Sequence, residues 1–400
     1  MLDTVIVAGK NNIAINVCSF LLEKKINLYA VLTKNDNGVD SFQSSFKKFC
    51  LQNKLRVISL RESYRIDNSI FLSLQFDQIV KPELFSHHRL YNVHFSLLPE
   101  YKGMYTAILP LLHQRKNSGV TLHKINQGID TGDIIEQKKI PLSSDETAES
   151  LYSKYIELGT QITTKNLETL LADSFSSYPQ TSSGASYYSK KAINYSCLEL
   201  DTFKTASEIK AQVQAFTFRN YQLLKWKNYT FIGCSISKNA STLKPGTILK
   251  ATQNKLILAS MDFDIVLYLD TLEELILNIK NGQLAEIKHR LTENPLLLKQ
   301  RTLKGCSPII IAASYSQFEV VKYLLTKDAK INDSDYQGKS LILYALEDAE
   351  RRNSIEQLSE LIQLSADLCP QAYNGSLLSS LSTCQAHLIK EFFQKYKSHI

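Results

Sequence analysis

The sequence predicts an α/β domain on a doubly wound parallel sheet, then a small mixed α+β region, then an all-α tail. Three observations carry this. An apolar run, Thr4–Ala8, ends at Gly9 and is followed by Ile13, Val17, Phe20 and Leu21 at helical spacing. Strand-like runs then alternate with helical patterns, as parallel sheets require. Beyond about residue 265 the chain repeats itself with a period of 33 residues. A length of 400 residues corresponds to two or three domains.

In order, strands are expected at Asn27–Leu32, Arg56–Leu60, Ile70–Leu74 and Asn92–Phe95, with a helix over Phe42–Gln52. Right-handed crossovers then place functional residues at the carboxyl ends of strands. Gly9-Lys10-Asn11-Asn12 is neither a GxGxxG nor a GxxxxGK[ST] loop. It reads either as a tight turn or as a helix start whose amides, with Lys10 and Asn11, face a phosphate. Val120–Lys124 and Asp133–Pro141 read as strands joined by INQGIDTG. A long helix is expected after Ser144, with Glu146 and Glu149 making an acidic first turn, and running to about Leu171. Ser174–Ser186, Ser-rich with Pro179 and Gly184, reads as a linker or an exposed loop. Residues 187–260 hold short strand-like runs and one helix near Ala206–Phe216. The expected boundaries are 1–175, 176–264 and 265–400.

Composition narrows the function classes. Hydrophobic residues at 44% and charged residues at 21% describe a soluble globular chain, and 14 Gly with 9 Pro exclude collagen-like or low-complexity structure. The start lacks a leader pattern and no apolar run nears 18 residues, so neither secretion nor a membrane span is expected. A net charge of +7 permits an anionic substrate without demanding nucleic acid. Seven scattered cysteines without CxxC suggest a reducing, cytoplasmic setting. The eight histidines show no metal-ligand spacing, so no metal is expected.

In the tail, Gly305 and Ala312 recur 33 positions later as Gly338 and Ala345. Ser307-Pro308, Ala312-Ala313, Val320-Val321 and Leu324-Leu325 complete one unit. Degenerate units surround Gly282–Ile287 and Asn374–Leu378. Glycine supplies the turn, small alanines let paired helices approach, and paired leucines bury between stacked units. The pattern resembles the ankyrin repeat.

The chemistry concentrates in two segments. In Asn92-Val93-His94-Phe95-Ser96, the alternation of a strand puts Asn92, His94 and Ser96 on one face. A histidine alone on a strand is more often a packing residue. Beside an amide donor it suits acyl transfer, one group polarising a carbonyl and the other handling a proton. In Asn126–Asp133, Gly128 and Gly132 bracket Asp130, which alone reads as a β-turn. Beside the Asn92/His94 pair, its carboxylate can orient the imidazole or take up its charge.

NxHxSLLPxYKG followed by GIDTGDII resembles the formyltransferases that use 10-formyltetrahydrofolate, over residues 1–175. The resemblance implies a Rossmann-like catalytic domain with Asn92, His94 and Asp130 as the catalytic trio. YKGMYTAILP and AFTFRNYQ, with the ankyrin tail, resemble the branch acting on dTDP-linked amino sugars. That branch implies N-formylation of a dTDP-3-amino-3,6-dideoxyhexose of glucose or galactose type, for lipopolysaccharide O-antigen, by a homodimer. By the same resemblance the folate slot is lined by Phe76, Ile79, Met104, Gly128 and Ile129. The nucleotide sugar is expected on Asn11, Lys81, Tyr105, Phe216, Arg219 and Tyr221. Ankyrin-tailed relatives also make a second nucleotide-sugar pocket in the repeat an expectation, with Tyr315, Tyr323, Tyr344 and Lys322. A methionyl-tRNA formyltransferase-like enzyme, a catalytically silent ankyrin scaffold and a hydrolase of the formyl donor are the alternatives.

Overall fold

The computed structural model describes residues 4–354 and 356–364. The chain opens with β1 (Thr4–Gly9), α1 (Asn11–Glu23), β2 (Asn27–Leu32), α2 (Phe46–Gln52), β3 (Arg56–Val57), α3 (Leu60–Ser63), β4 (Ser69–Leu74) and β5 (Leu90–His94). It continues with β6 (Lys102–Gly103), α4 (Leu109–Leu112), β7 (Asn117–Lys124), β8 (Ile134–Pro141), α5 (Ala148–Ala172), β9 (Tyr187–Tyr188), α6 (Ala206–Ala215), β10 (Lys225–Trp226) and β11 (Tyr229–Ala240).

Seven strands form one sheet in the order β3-β2-β1-β4-β5-β7-β8. Its core is parallel, from β3 through β5. The edge is not: β7 and β8 run antiparallel. A loop spans only residues 125–133 between them, too short for the helical crossover that a parallel neighbour needs. β4 is buried along its whole length and β1 nearly so, as expected of strands covered on both faces. Helix α1 buries Ile13, Val17, Cys18 and Leu21 at its helical period. Helix α5 presses on α1 and β5 at Gly159, where a Cβ would stand 2.7 Å from Ile13 and 3.3 Å from Phe95 and Val93.

Strand order reverses between β1 and β4, each parallel to its neighbours, which opens a crevice at their carboxyl ends. Gly9 closes β1 there because a Cβ would lie 2.3 Å from the Leu74 carbonyl oxygen.

Several expected elements end elsewhere. Arg56–Leu60 yields only a two-residue strand, because Ser59 caps α3. Its hydroxyl accepts from the Glu62 N–H at 3.2 Å, and the Glu62 carboxylate accepts from the Ser59 N–H at 2.7 Å. Helix α5 is capped by Thr147, not Ser144, and Glu146 is buried against Lys154 and Ser150 at 2.5 Å each. The Ser174–Ser186 stretch is not a detached linker. Tyr178 and Ile134 exchange two backbone bonds of 2.8 and 3.0 Å, and β9 pairs with β6 in parallel. In the middle region β10 and β11 pair antiparallel.

The chain divides into two compact units, residues 1–247 with 259–265, and residues 248–258 with 266 onward. The middle region is therefore divided: residues 176–247 and 259–264 share a unit with the seven-stranded sheet, and residues 248–258 belong to the other. β12 (Ile248–Ala251) and β13 (Lys255–Leu258) form an antiparallel pair in the second unit, and β14 (Phe263–Leu269) follows. Among the described residues, six helices then run as α7 (Leu272–Lys280), α8 (Leu284–Glu293), α9 (Pro308–Ser314), α10 (Phe318–Leu325), α11 (Leu341–Arg352) and α12 (Glu356–Gln363). Gly305 and Gly338 occupy the same place before α9 and α11, at φ +88° and +78°. A Cβ on Gly305 would stand 2.4 Å from the Tyr336 nitrogen. That nitrogen donates to the Lys304 carbonyl at 3.2 Å, tying one repeat to the next. The unit expected around Asn374–Leu378, with Cys369 and Cys384, lies outside the described residues. No helix among the described residues is long and apolar enough to cross a membrane.

Candidate active site

β5 carries Asn92 and His94 on one face, and antiparallel pairing sets Asn92 opposite His123 and His94 opposite Thr121 on β7. The β7–β8 loop returns Asp130 to the same place. Asp130 sits at φ +53°, and the glycines beside it permit the tight approach: a Cβ on Gly132 would lie 1.9 Å from the Lys124 carbonyl oxygen. Ser96 does not join the polar face. It is buried and closes the turn after β5 by donating to the Glu100 carbonyl at 2.7 Å.

The Asp130 carboxylate is the hub. Its Oδ2 accepts from the Gly103 N–H at 2.8 Å and lies 3.5 Å from His94 Nδ1. Its Oδ1 accepts from Asn92 Nδ2 at 3.3 Å and lies 3.7 Å from His123 Nε2. Burial pushes this carboxyl group up. Protonated His94 and His123, with the Gly103 amide, outweigh burial and hold it well below the usual carboxylate range. Carbonyl partners assign the histidine protons, because a carbonyl only accepts. His94 Nε2–H donates to Tyr101 at 2.8 Å, so Nδ1 faces Asp130. His123 Nδ1–H donates to the Lys124 carbonyl at 2.7 Å, so Nε2 accepts from Asn92 Nδ2 at 3.0 Å.

A cavity of about 460 Å³ opens at the carboxyl ends of β1, β4 and β5, lined by residues that include Lys10, Gln75 and Phe95 immediately after those strands. Aromatic rings supply other walls: Tyr105, Tyr152, Tyr195, Phe218 and Tyr221. Phe218 and Tyr221 pack edge to face at 4.6 Å, with Phe42 behind them. Among the described residues, Lys10 is the only basic one lining this cavity. Asn11, Gln75, Tyr101, Tyr105 and Asp130 all have φ between 53° and 65°. Such backbone costs on the order of 1–3 kcal/mol per residue, and its concentration here marks the site.

The structure brings Asn92, His94 and Asp130 together and puts Tyr105 and Tyr221 on the cavity wall. Asn11 donates to the Tyr152 hydroxyl at 3.1 Å, behind that wall. Phe216 is buried at the end of α6 and does not line the cavity; nor does Arg219, in the turn between Phe218 and Gln222. Lys81 is exposed before the Pro82–Leu84 turn. Phe76 packs on the core cluster around Phe71 and Phe85. Ile79, Met104 and Ile129 are exposed, Ile79 at 73%, and Gly128 sits in the exposed part of the Asp130 turn. Sequence reading missed His123, Gln75 and Tyr195. Alternation with Leu122 puts His123 on the Thr121 face of β7, but nothing in the strand's own sequence names its partner on β5.

Residues 46–167 match the family model "Formyl transferase", and residues 304–336 match "Ankyrin repeat". Among solved structures, WlaRD, a sugar 3N-formyltransferase with dTDP and 5-N-formyl-THF, is 38% identical. The match covers 68% of this chain and 99% of WlaRD, with a TM-score of 0.64. The chain belongs to the formyltransferase family. The N-formyltransferase from Helicobacter canadensis, in complex with folinic acid and dTDP-3-aminofucose, is 35% identical to this formyltransferase. That match covers 67% of this chain and all of the other, with a TM-score of 0.63. A methionyl-tRNA formyltransferase from Fervidobacterium nodosum is 28% identical over 269 residues, 60% of this formyltransferase and 82% of the relative. Among the described residues no cluster of His, Cys, Asp and Glu is disposed to hold a metal ion.

Proposed function

We propose that this formyltransferase moves the formyl group of 10-formyltetrahydrofolate onto the amine of a dTDP-linked amino-dideoxy sugar. The observation that carries this reading is the Asn92–His94–Asp130 cluster on a sheet whose switch-point crevice holds an aromatic cavity with one lysine. Rings suit a thymine face, and Lys10 with the start of α1 suits a diphosphate. The two sugar N-formyltransferases that are matched over nearly their whole length support the same reading.

In this reading the formyl carbon gains a bond to the amine nitrogen and loses its bond to folate nitrogen N10. Asn92 donates to the carbonyl oxygen as it takes on charge. Both its amide protons are engaged, and the 3.3 Å bond to Asp130 is the weaker one to exchange. Losing such a donor costs about 3–4 kcal/mol of barrier, a hundredfold or more in rate. His94 Nδ1 takes the amine proton, and the imidazolium N–H then points at the Asp130 carboxylate. Asn92→Ala and His94→Ala therefore lose most turnover while staying folded. The folate slot is assigned to Phe76, Ile79, Met104, Gly128 and Ile129. The nucleotide sugar is assigned to Tyr105 and Tyr221 on the wall, with Asn11, Lys81, Phe216 and Arg219 about it.

The acceptor is taken to be a 3-amino-3,6-dideoxyhexose of glucose or galactose type, destined for O-antigen in a bacterial cytoplasm. A homodimer is part of the reading, checked by light scattering. A second nucleotide-sugar pocket in the repeat rests on Tyr315 and Tyr344, whose faces carry Lys280 and Lys339, and on Tyr323 and Lys322. Calorimetry on the full chain decides it by stoichiometry, two sugars per chain or one. The second reading, methionyl-tRNA as acceptor, is favoured by the Fervidobacterium relative.

A folate-release assay tests the proposal. The formyl donor is offered with dTDP-3-amino-3,6-dideoxyglucose, its galactose epimer, a 4-amino isomer and methionyl-tRNA. Turnover with a 3-amino dTDP-sugar alone is expected. Turnover only with charged tRNA replaces the acceptor, and silence with all four leaves the scaffold reading.

A further inference from the structure

The stretch after α5 reads as a linker, yet it is laced to two parts of the site. Gln180 donates through Nε2 to the carbonyls of Asp130 and Gly132, at 2.9 and 2.8 Å. These carbonyls belong to the left-handed turn that presents the Asp130 carboxylate. Gln180 Oε1 is sealed from solvent without a partner, so the two donor bonds alone orient this amide. Six residues on, Ser186 grips the opposite side. Its Oγ accepts from the Tyr101 N–H at 2.8 Å, and its carbonyl accepts from the Lys102 N–H at 2.9 Å. Its own N–H donates to the Pro99 carbonyl at 3.1 Å. Tyr101, held at φ +57°, supplies the carbonyl that fixes His94 Nε2. Gly103, two residues on, donates to Asp130.

We propose that Gln180 and Ser186 are positioning residues that set the His94–Asp130 spacing, Gln180 through the Asp130 turn and Ser186 through Tyr101. The proposal rests on the catalytic reading of Asn92, His94 and Asp130. Neither residue touches a reacting atom; each holds a piece of backbone that would otherwise relax out of the left-handed region. Misplacement of a catalytic group by about 1 Å is enough to cost about a hundredfold in rate.

The test is Gln180→Met, which keeps length and volume, adds no charge and removes both donors. The expected result is a kcat lower by about 10- to 100-fold, with KM for formyl donor and amino sugar each within about threefold. The ¹⁵N–¹H imidazole signals of His94, assigned with His94→Gln, are expected to shift in the same variant. Ser186→Ala behaves likewise, and Ser186→Thr, which keeps the hydroxyl, restores the rate. Unchanged kcat and unchanged His94 signals in Gln180→Met overturn the proposal. So does a variant that loses melting temperature and rate together while the His94 signals stay put, since the segment is then only a brace. If wild-type protein formylates none of the acceptors, the catalytic reading fails separately. The His94 signals of Gln180→Met then still decide whether Gln180 sets the His94–Asp130 geometry.

Discussion

Asp130 in the first unit and Asp333 in the second are carboxylates of similar burial, their side chains 12% and 14% exposed. Their partners differ. Asp333 accepts from Arg301 Nη2 at 2.5 Å, from the Ser334 N–H at 2.9 Å and from the Ser307 hydroxyl, all in saturating contact. Asp130 has one short bond, from Gly103, and faces Asn92, His94 and His123 at 3.3 to 3.7 Å. A carboxylate that only holds structure gains from filling every lone pair with a short donor. A carboxylate that must respond to a proton on its neighbour needs slack, and the surrounding backbone bears the cost of keeping it there. The five left-handed residues of the first unit's site carry that cost.

This contrast can be broken in order of effect. Asp130→Asn keeps shape and removes the charge that supports His94, so kcat falls by about 10²- to 10⁴-fold; steady-state turnover with the amino sugar reads it. A rate within a few-fold of wild type means that Asp130 is a structural acid like Asp333. His123→Leu removes the acceptor that holds Asn92. Its expected cost is smaller, about 10- to 100-fold in kcat, and an unchanged pH–rate profile would count against a part for His123. Asp333→Asn reverses the pattern. It destabilises the chain by about 1–3 kcal/mol in urea unfolding, as expected when a charged hydrogen-bond partner is removed, while kcat at 25 °C holds. A collapse of kcat with Asp333→Asn would erase the distinction between the two acids.

The smallest effect is in pH. The folded Asp130 carboxyl titrates below its unfolded value of about 3.9. Its contribution to stability is therefore complete above that pH and is lost as pH falls through the folded value. The stability difference between wild type and Asp130→Asn should hold from neutral pH down to about pH 4 and narrow only below it, seen as converging unfolding midpoints. A gap that widens on acidification means the carboxyl is not held ionised by its neighbours.

Much of the site was legible in the chain. Asn92 and His94 share a face because strand side chains alternate, and two glycines announce the Asp130 turn. The period of 33 marked the repeat, and Gly305 and Gly338, expected at its turns, sit in the left-handed conformation. His123 was not legible, because its partner lies 31 residues away on another strand and only the antiparallel register puts them together. Nor was the grip of Gln180, since a Ser-rich stretch with one proline and one glycine gives no periodic signal of where it docks. Lys81 and Phe216 were named by residue type, and only the packing shows one exposed before a turn and the other buried at the end of α6.

What the sequence determined by itself was local: which segments are strand or helix, where turns need glycine, and which polar residues share a strand face. Those follow from side-chain period and backbone sterics, which act over a few residues. The tertiary structure decided how segments far apart in the chain meet. It turned the edge of the sheet antiparallel, set His123 against Asn92, and drew the chain after α5 across Asp130 and Tyr101. Those contacts depend on loop closure and on the register of pairing, which no short window of sequence contains.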